Sequence, residues 1–227
     1  MLDPKEEARF EELRDVCREL KVPSPPQIMI GLQVHDKDGN LTFDDVQRGH
    51  SWTRNFWNRI FIHATGGVTN GASFGAGYMT QKNSSGSVQS IGYLPWWSVT
   101  EFMGAGDAGS STNGISVGTG DTAFNVDQYI LVTPVAHGNS ASQLAYSAMS
   151  AATSAYTAGT KTWKTTLVRV LNNNSGGSIT IKETGIYFYV AAGFLLERSV
   201  LSPTVAVANG AQLTVTYEIS MDFSSID

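Results

Sequence analysis

Residues 212–223 read QLTVTYEISMDF, with apolar side chains at every odd position (Leu213, Val215, Tyr217, Ile219, Met221, Phe223) and polar ones at every even position. A period of two held through six pairs predicts an antiparallel strand with one dry face and one solvated face. The wet face (Gln212, Thr214, Thr216, Glu218, Ser220, Asp222) assembles no nucleophile, base or metal cluster. The segment therefore reads as scaffold, and in a subunit that assembles, the polar face is a place for a neighbour.

The rest of the C-terminal third has the same character. Residues 161–171 and 178–190 predict two strands around Asn172, Asn173, Asn174, Ser175, Gly176 and Gly177, a run that tolerates left-handed backbone and reads as a hairpin connection. Ile179 and Ile181 are odd-numbered but Ile186, Phe188 and Val190 are even, so the inward face changes parity and predicts a bulge at Thr184 and Gly185. Strands over 195–201 and 204–207 follow, and Asn209-Gly210 turns the chain into the alternating segment.

At the other end the period is helical. Asp3 can cap, Pro4 suits the first helical position and Glu6 completes a capping box, so a helix runs to about Leu20 and stops before Pro23, Pro25 and Pro26. Its stripe Phe10, Leu13, Val16/Cys17 and Leu20 is too short for an isolated coiled coil and needs another surface. Two surfaces are available: its own domain, or a neighbouring subunit reached across the SPP linker. The stripe residues Phe10, Leu13, Cys17 and Leu20 are the candidate interface of this arm.

Residues 27–46 predict a hairpin turning at Asp38-Gly39. A calcium loop built on Gly39 would place Val34 at the first ligand position and Asp45 at the twelfth, so the pattern fails where it is obligatory. Residues 51–64 predict a short internal helix with Trp52, Phe56 and Ile60 beside Trp57 and Phe61 on a wide apolar face; His63 falls in its last turn, where an imidazolium suits the helix C-terminus. From 66 to 113 the chain is rich in Gly, Ser and Asn and reads as long loops and short strands. Strands over 114–117 and 129–135 come next, and the small-residue stretch 140–160 reads as strand because Leu144, Tyr146 and Ala148 alternate.

These elements make the chain mainly β: an antiparallel β-sandwich-like domain with an N-terminal helical arm and one short internal helix. The organisation is an arm over residues 1–22 and a β-rich domain over 23–227. That domain divides into a hairpin plus helix (27–65), a Gly-rich loop region (66–113) and an antiparallel sheet region (114–227).

Composition narrows the function classes. A net charge of −5 offers no basic footprint for a phosphate backbone, so nucleic acid is not an expected partner. The single cysteine, Cys17, excludes an internal disulfide framework and agrees with assembly in a reducing cytoplasm. The N-terminus MLDPKEEARFEELRD is too charged for a secretory signal, and no run of about 18 apolar residues is present for membrane insertion.

Chemistry-bearing motifs are weak in context. Residues 104–109 match GxGxxG but no helix follows to receive a pyrophosphate, and residues 71–75 match GxSxG without the strand-to-helix turn of a nucleophile elbow. His35, His50, His63 and His137 include no ligand pair at helical or strand spacing. Asp44, Asp45, Glu101, Asp107, Asp121 and Asp127 are available as paired carboxylates, but nothing fixes their separation. No catalytic residue, metal site or cofactor is therefore expected. The aromatic group Tyr93, Trp96 and Trp97 around Pro95 has two readings: core if buried, a platform for a host surface glycan or a protein interface if exposed.

Three stretches together resemble structural proteins of tailed-bacteriophage virions: SWTRNFWNRIF after the Asp-Gly hairpin, GISVGTGDTAFNVDQYILVTPVAHG in the middle, and TTLVRVLNNNSGGSITIKETGIYFY with LLERSVLSPTVAVANGAQLTVTYEIS at the end. They cover somewhat more than half the chain, with a gap at 66–113. The resemblance implies a non-enzymatic β-rich virion component of the tail, neck or capsid surface. Such a component is made in the host cytoplasm and assembled in many copies, with itself and other virion proteins as partners. It carries over no catalytic residues. A glycan- or receptor-binding β-sandwich module is the alternative expectation.

Overall fold

A computed structural model describes residues 4–49, 51–65, 80–90, 106–188 and 193–224. In chain order the elements are α1 (Pro4–Leu20), β1 (Gln27–His35), β2 (Leu41–Gly49), α2 (Arg54–Thr65), β3 (Thr80–Lys82), β4 (Val88–Ser90), β5 (Gly114–Gly118), β6 (Ala145–Tyr146), β7 (Thr153–Thr157), β8 (Thr162–Asn172), β9 (Ile179–Phe188), β10 (Phe194–Val207) and β11 (Gln212–Asp222). Every strand pairing between them is antiparallel.

The larger sheet has the order β2-β1-β11-β8-β6, with β7 also paired to β8; the smaller one is β10-β9-β5, and β3 and β4 form a separate ribbon. The alternating segment β11 is the centre of the larger sheet, flanked by β1 and β8 in unbroken register. Its odd positions Leu213, Val215 and Tyr217 are fully buried and meet Ile30 and Leu32 of β1, Leu171 of β8, and Ile115, Ile181, Ile186 and Val205 of the smaller sheet. Two sheets closing on one such layer are a β-sandwich, as the alternation requires. The β1–β2 turn is closed by Asp36, whose Oδ1 accepts the Asp38 and Asn40 amides at 2.9 Å each while Gly39 takes a φ of +84°.

Four expectations are corrected. Residues 129–135 form no continuous strand: they touch β5 only at one antiparallel bridge, Gly118 to Pro134, where Thr119 N donates to Thr133 O and Val135 N to Val117 O, and side chains take the amides before it. The Glu183 carboxylate accepts the amides of Thr133 at 2.8 Å and Val132 at 3.0 Å, and the Tyr187 hydroxyl accepts that of Leu131 at 2.9 Å. Residues 172–177 are not a hairpin turn: β8 lies in the larger sheet and β9 in the smaller, so the connection arches between layers. The buried Asn173 holds the arch, donating from Nδ2 to Gly177 O at 2.8 Å and Val207 O at 2.7 Å.

The bulge expected at Thr184 and Gly185 is absent from β9, which pairs with β5 without interruption from Glu183 to Tyr187. The irregularities sit opposite, on β10, between Leu195 and Glu197 and between Val200 and Val205. Finally, the inner face of α2 is polar. Thr53 lies before the helix and bonds to β10, donating from N to Leu196 O at 2.8 Å, so the helix starts three residues later than the apolar spacing suggests. Asn55 donates to Lys82 O and Leu195 O, and Arg59 to Gln81 Oε1, while Trp57, Ile60 and Phe61 stay exposed. Phe56 supplies the apolar anchor, stacked on Trp52 at 3.8 Å.

Candidate functional site

Helix α1 lies on the outer side of the larger sheet. Arg48 of β2 stands opposite Met29, and Met29 opposite Glu218, an even and therefore outward position of β11. The Arg48 guanidinium is buried, bonds to the Glu7 carboxylate, and sits 3.7 Å from the centre of the Phe10 ring. A cation over an aromatic face with a carboxylate beside it seats the first turns of the helix. Cys17 is buried about two turns beyond Phe10, and Ser24 donates its amide to Asp222 O at 3.1 Å as the chain enters β1.

This seat divides the predicted stripe. Phe10 and Cys17 face the chain's own domain, which removes them from the surface open to a neighbour. Leu13, Val16 and Leu20 point away, 40%, 49% and 65% exposed. Arg48 and Glu7, which carry the seat, were not singled out from sequence; their only signal is an arginine placed among the polar positions of β2. Tyr93, Trp96 and Trp97 lie outside the described residues.

Buried ionisable groups are concentrated between the layers. Arg198 Nε donates to Glu183 Oε2 at 2.6 Å with both side chains fully enclosed, and the same carboxylate also accepts the Gly120 amide at 3.2 Å. A Cβ at Gly118 or Gly120 would stand 2.4 Å or 2.8 Å from Glu183 Oε1, so both glycines are required by the close approach of that carboxylate. Arg169, inward on β8, donates to the carbonyls of Ser147, Asn113, Ile115 and Asp107 over 2.6–2.9 Å; burial brings its pKa down to about 10, which leaves it charged at neutral pH.

Glu197 accepts from the Tyr217 hydroxyl at 2.8 Å and from the Ser199 hydroxyl. Burial pushes its carboxyl up to about 8, against those hydrogen bonds and the Arg198 charge, which pull it down. A serine, a tyrosine and a carboxyl of raised pKa are the constituents of an acid-base centre. Here Glu197 and Tyr217 are fully enclosed and Ser199 is 2% exposed, so no reactant reaches them and their role is internal.

The carboxylates considered for paired catalysis are engaged separately. Asp121 binds Lys182 at 2.8 Å, Asp127 binds Arg54 at 2.7 Å, and Asp44 accepts from Gln33; Glu101 lies outside the described residues. A polar cleft of about 180 Å³ opens beside Arg54, Lys82, Asp127 and Gln128, below the volume that ordinarily encloses a small-molecule ligand. Among the described residues no group of three or more His, Cys, Asp and Glu side chains is placed to hold a metal ion, and no helix is long and apolar enough to cross a membrane.

Comparison with protein-family models, with curated proteins and with solved structures finds no match. Among the described residues, α1 presents an outward apolar row of Leu13, Val16 and Leu20.

Proposed function

We propose that the chain is a structural subunit of a tailed-bacteriophage virion, assembling as a symmetric multimer in the tail, neck or on the capsid surface. The observation that carries this reading is the division of α1: one side is fixed to its own domain by Arg48, Glu7 and Cys17, and the other presents Leu13, Val16 and Leu20 to solvent. A helix held rigidly with an apolar row outward is pre-organised for a protein contact and loses little conformational entropy on docking. The sandwich behind it is a rigid block, and the sequence resemblance to virion proteins supplies the setting.

The test is incorporation into particles. Leu13→Asp/Leu20→Asp changes only exposed side chains, so the protein should fold normally and be missing from purified virions, with loss of infectivity. Deletion of residues 1–22 is a poorer probe because it strips the seat from Arg48. Normal incorporation of the Leu13→Asp/Leu20→Asp protein overturns the proposal.

A further inference from the structure

Glu197 is an inward carboxyl on an edge strand. β10 is the outer member of the order β10-β9-β5, and Glu197 stands opposite Ile186 of β9 with its side chain reaching across the layers to Tyr217 of β11. Among the described residues no strand pairs with the other side of β10. Ser51, Trp52 and Thr53, on the way from β2 to α2, lie there instead. Trp52 makes an antiparallel bridge to Glu197, built from Arg198 N donating to Ser51 O at 3.2 Å and Thr53 N to Leu196 O at 2.8 Å. The Thr53 hydroxyl adds a bond to Leu195 O at 2.7 Å, and Trp52 packs against two apolar clusters of the core. This strap separates the Glu197 carboxyl from solvent along that edge.

No cation touches the carboxyl. Its partners are the hydroxyls of Tyr217, at 2.8 Å, and Ser199. Arg198 directs its guanidinium to Glu183, Gln128 and Thr122 and acts on Glu197 only through space. Tyr217 from β11 and Arg198 from β10 are thus the titratable and charged groups that bear on it; β9 contributes Ile186 and Thr184, and the strap contributes none. An enclosed carboxyl among hydroxyls is held neutral, because its anion would stand where neither water nor a cation can reach it.

We infer that Ser51–Thr53 is a proton-operated strap: with Glu197 neutral it stays closed on β10, and loss of the proton opens it to water while the sandwich behind it stays folded. Topology decides where the opening falls. Admitting water from the side of β11 would break a strand paired on both flanks in unbroken register. Lifting the strap breaks its two backbone bonds and the Thr53 hydroxyl bond, beside a stretch of β10 that is already out of register with β9 between Leu195 and Glu197. The carboxyl titrates near 8 when enclosed and near 4.5 when water reaches it. Between those values each pH unit therefore multiplies the opening constant about tenfold, and above about 8 the rise levels off.

Native-state hydrogen exchange on the full chain tests this at the amides of Thr53 and Arg198, which the strap bonds protect. After division by the intrinsic rate, their opening constant should rise about a thousandfold from pH 5 to pH 8. Glu197→Gln keeps the shape without the ionisation and should remove that rise. Low concentrations of urea identify the unit that opens. The strap exposes little surface, so its opening should scarcely respond to urea, whereas exchange of the β11 amides should accelerate as global unfolding does.

An opening constant independent of pH in the natural chain, or the same rise in Glu197→Gln, would overturn the inference. Should Glu197→Gln fail to fold, the natural chain alone decides. Thr53 and Arg198 amides with the urea response of β11 would mean that Glu197 loses its proton only when the whole domain unfolds, and the strap would be no separate device.

Discussion

Arg198 and Glu183 form an ion pair of 2.6 Å whose side chains are both wholly enclosed, and through it the segment 120–133 is fastened to β9 and β10. The pair is fully hydrogen-bonded: Glu183 accepts three backbone amides, and Arg198 also donates to Thr122 O at 2.9 Å and Gln128 Oε1 at 3.1 Å. Removing one partner strands a buried charge, which costs about 3–5 kcal/mol. Glu183→Ala should therefore unfold at markedly lower urea concentration, and hydrogen exchange should accelerate at Gly120, Val132 and Thr133. A loss below about 1 kcal/mol would show that water replaces the carboxylate.

Glu197 makes stability depend on pH in an unusual direction. Its carboxyl titrates near 4.5 when unfolded and near 8 when folded. Between those values the folded chain holds the extra proton, so stability falls as pH rises, by up to about 1.4 kcal/mol per unit, and the full loss is reached above about 8. Asp36, held low by hydrogen bonds from Asn40, and Asp121, held low by Lys182, act oppositely and only as pH falls below their ordinary 3.8. Urea unfolding at pH 5, 6, 7 and 8 should show the decline, and Glu197→Gln should flatten it. The difference between the two curves removes any contribution from the histidines, and parallel curves would refute the assignment.

Local periodicity made the scaffold legible, and long-range polar contacts hid the rest. The alternation of β11 reports its inward face directly, and Pro4 with the later prolines marks both ends of α1. Residues 129–135 have strand character too, but the amides of Val132 and Thr133 are taken by a carboxylate some fifty residues away, which no local pattern signals. The Asn-Gly run at 172–177 has the same composition whether it reverses a strand or arches between layers. At the candidate interface the stripe of α1 was visible, yet which half faces inward depends on Arg48.

Arg169 is a second buried tether, between β8 and the segment leading into β5. Its guanidinium fork serves four carbonyls, with its centre 4.9 Å from that of the Tyr146 ring. Arg169→Met fills the space but removes the guanidinium donors from those carbonyls, of which Asp107 O keeps the Ser110 amide at 3.2 Å, a loss of about 3 kcal/mol. Arg169→Lys retains the charge but not the planar fork, so it should recover only part of the stability. Thermal unfolding of the two variants tests the order; equal stability of Arg169→Lys and the natural chain would show that charge alone suffices.

Asn173 fixes the crossing from one layer to the other, and its amide orientation is decided by its partners. Nδ2 faces the carbonyls of Gly177 and Val207, while Oδ1 accepts the Ser175 amide at 3.0 Å and hydroxyl at 2.7 Å. Asn173→Ala should cost about 1–3 kcal/mol, because the two carbonyls lose their short amide donor and keep only the longer contacts from the Ser175 and Ser178 hydroxyls, at 3.2 Å and 3.4 Å. Asn173→Asp is sterically equivalent but aims a second oxygen at those carbonyls and buries a charge, so it should be worse than alanine at pH 7. Protonation restores one donor, so the aspartate variant should regain stability relative to the natural chain as pH falls toward 4. Urea unfolding at the two pH values measures this directly, and an aspartate variant as stable as the natural chain at pH 7 would mean that the arch is held by its backbone alone.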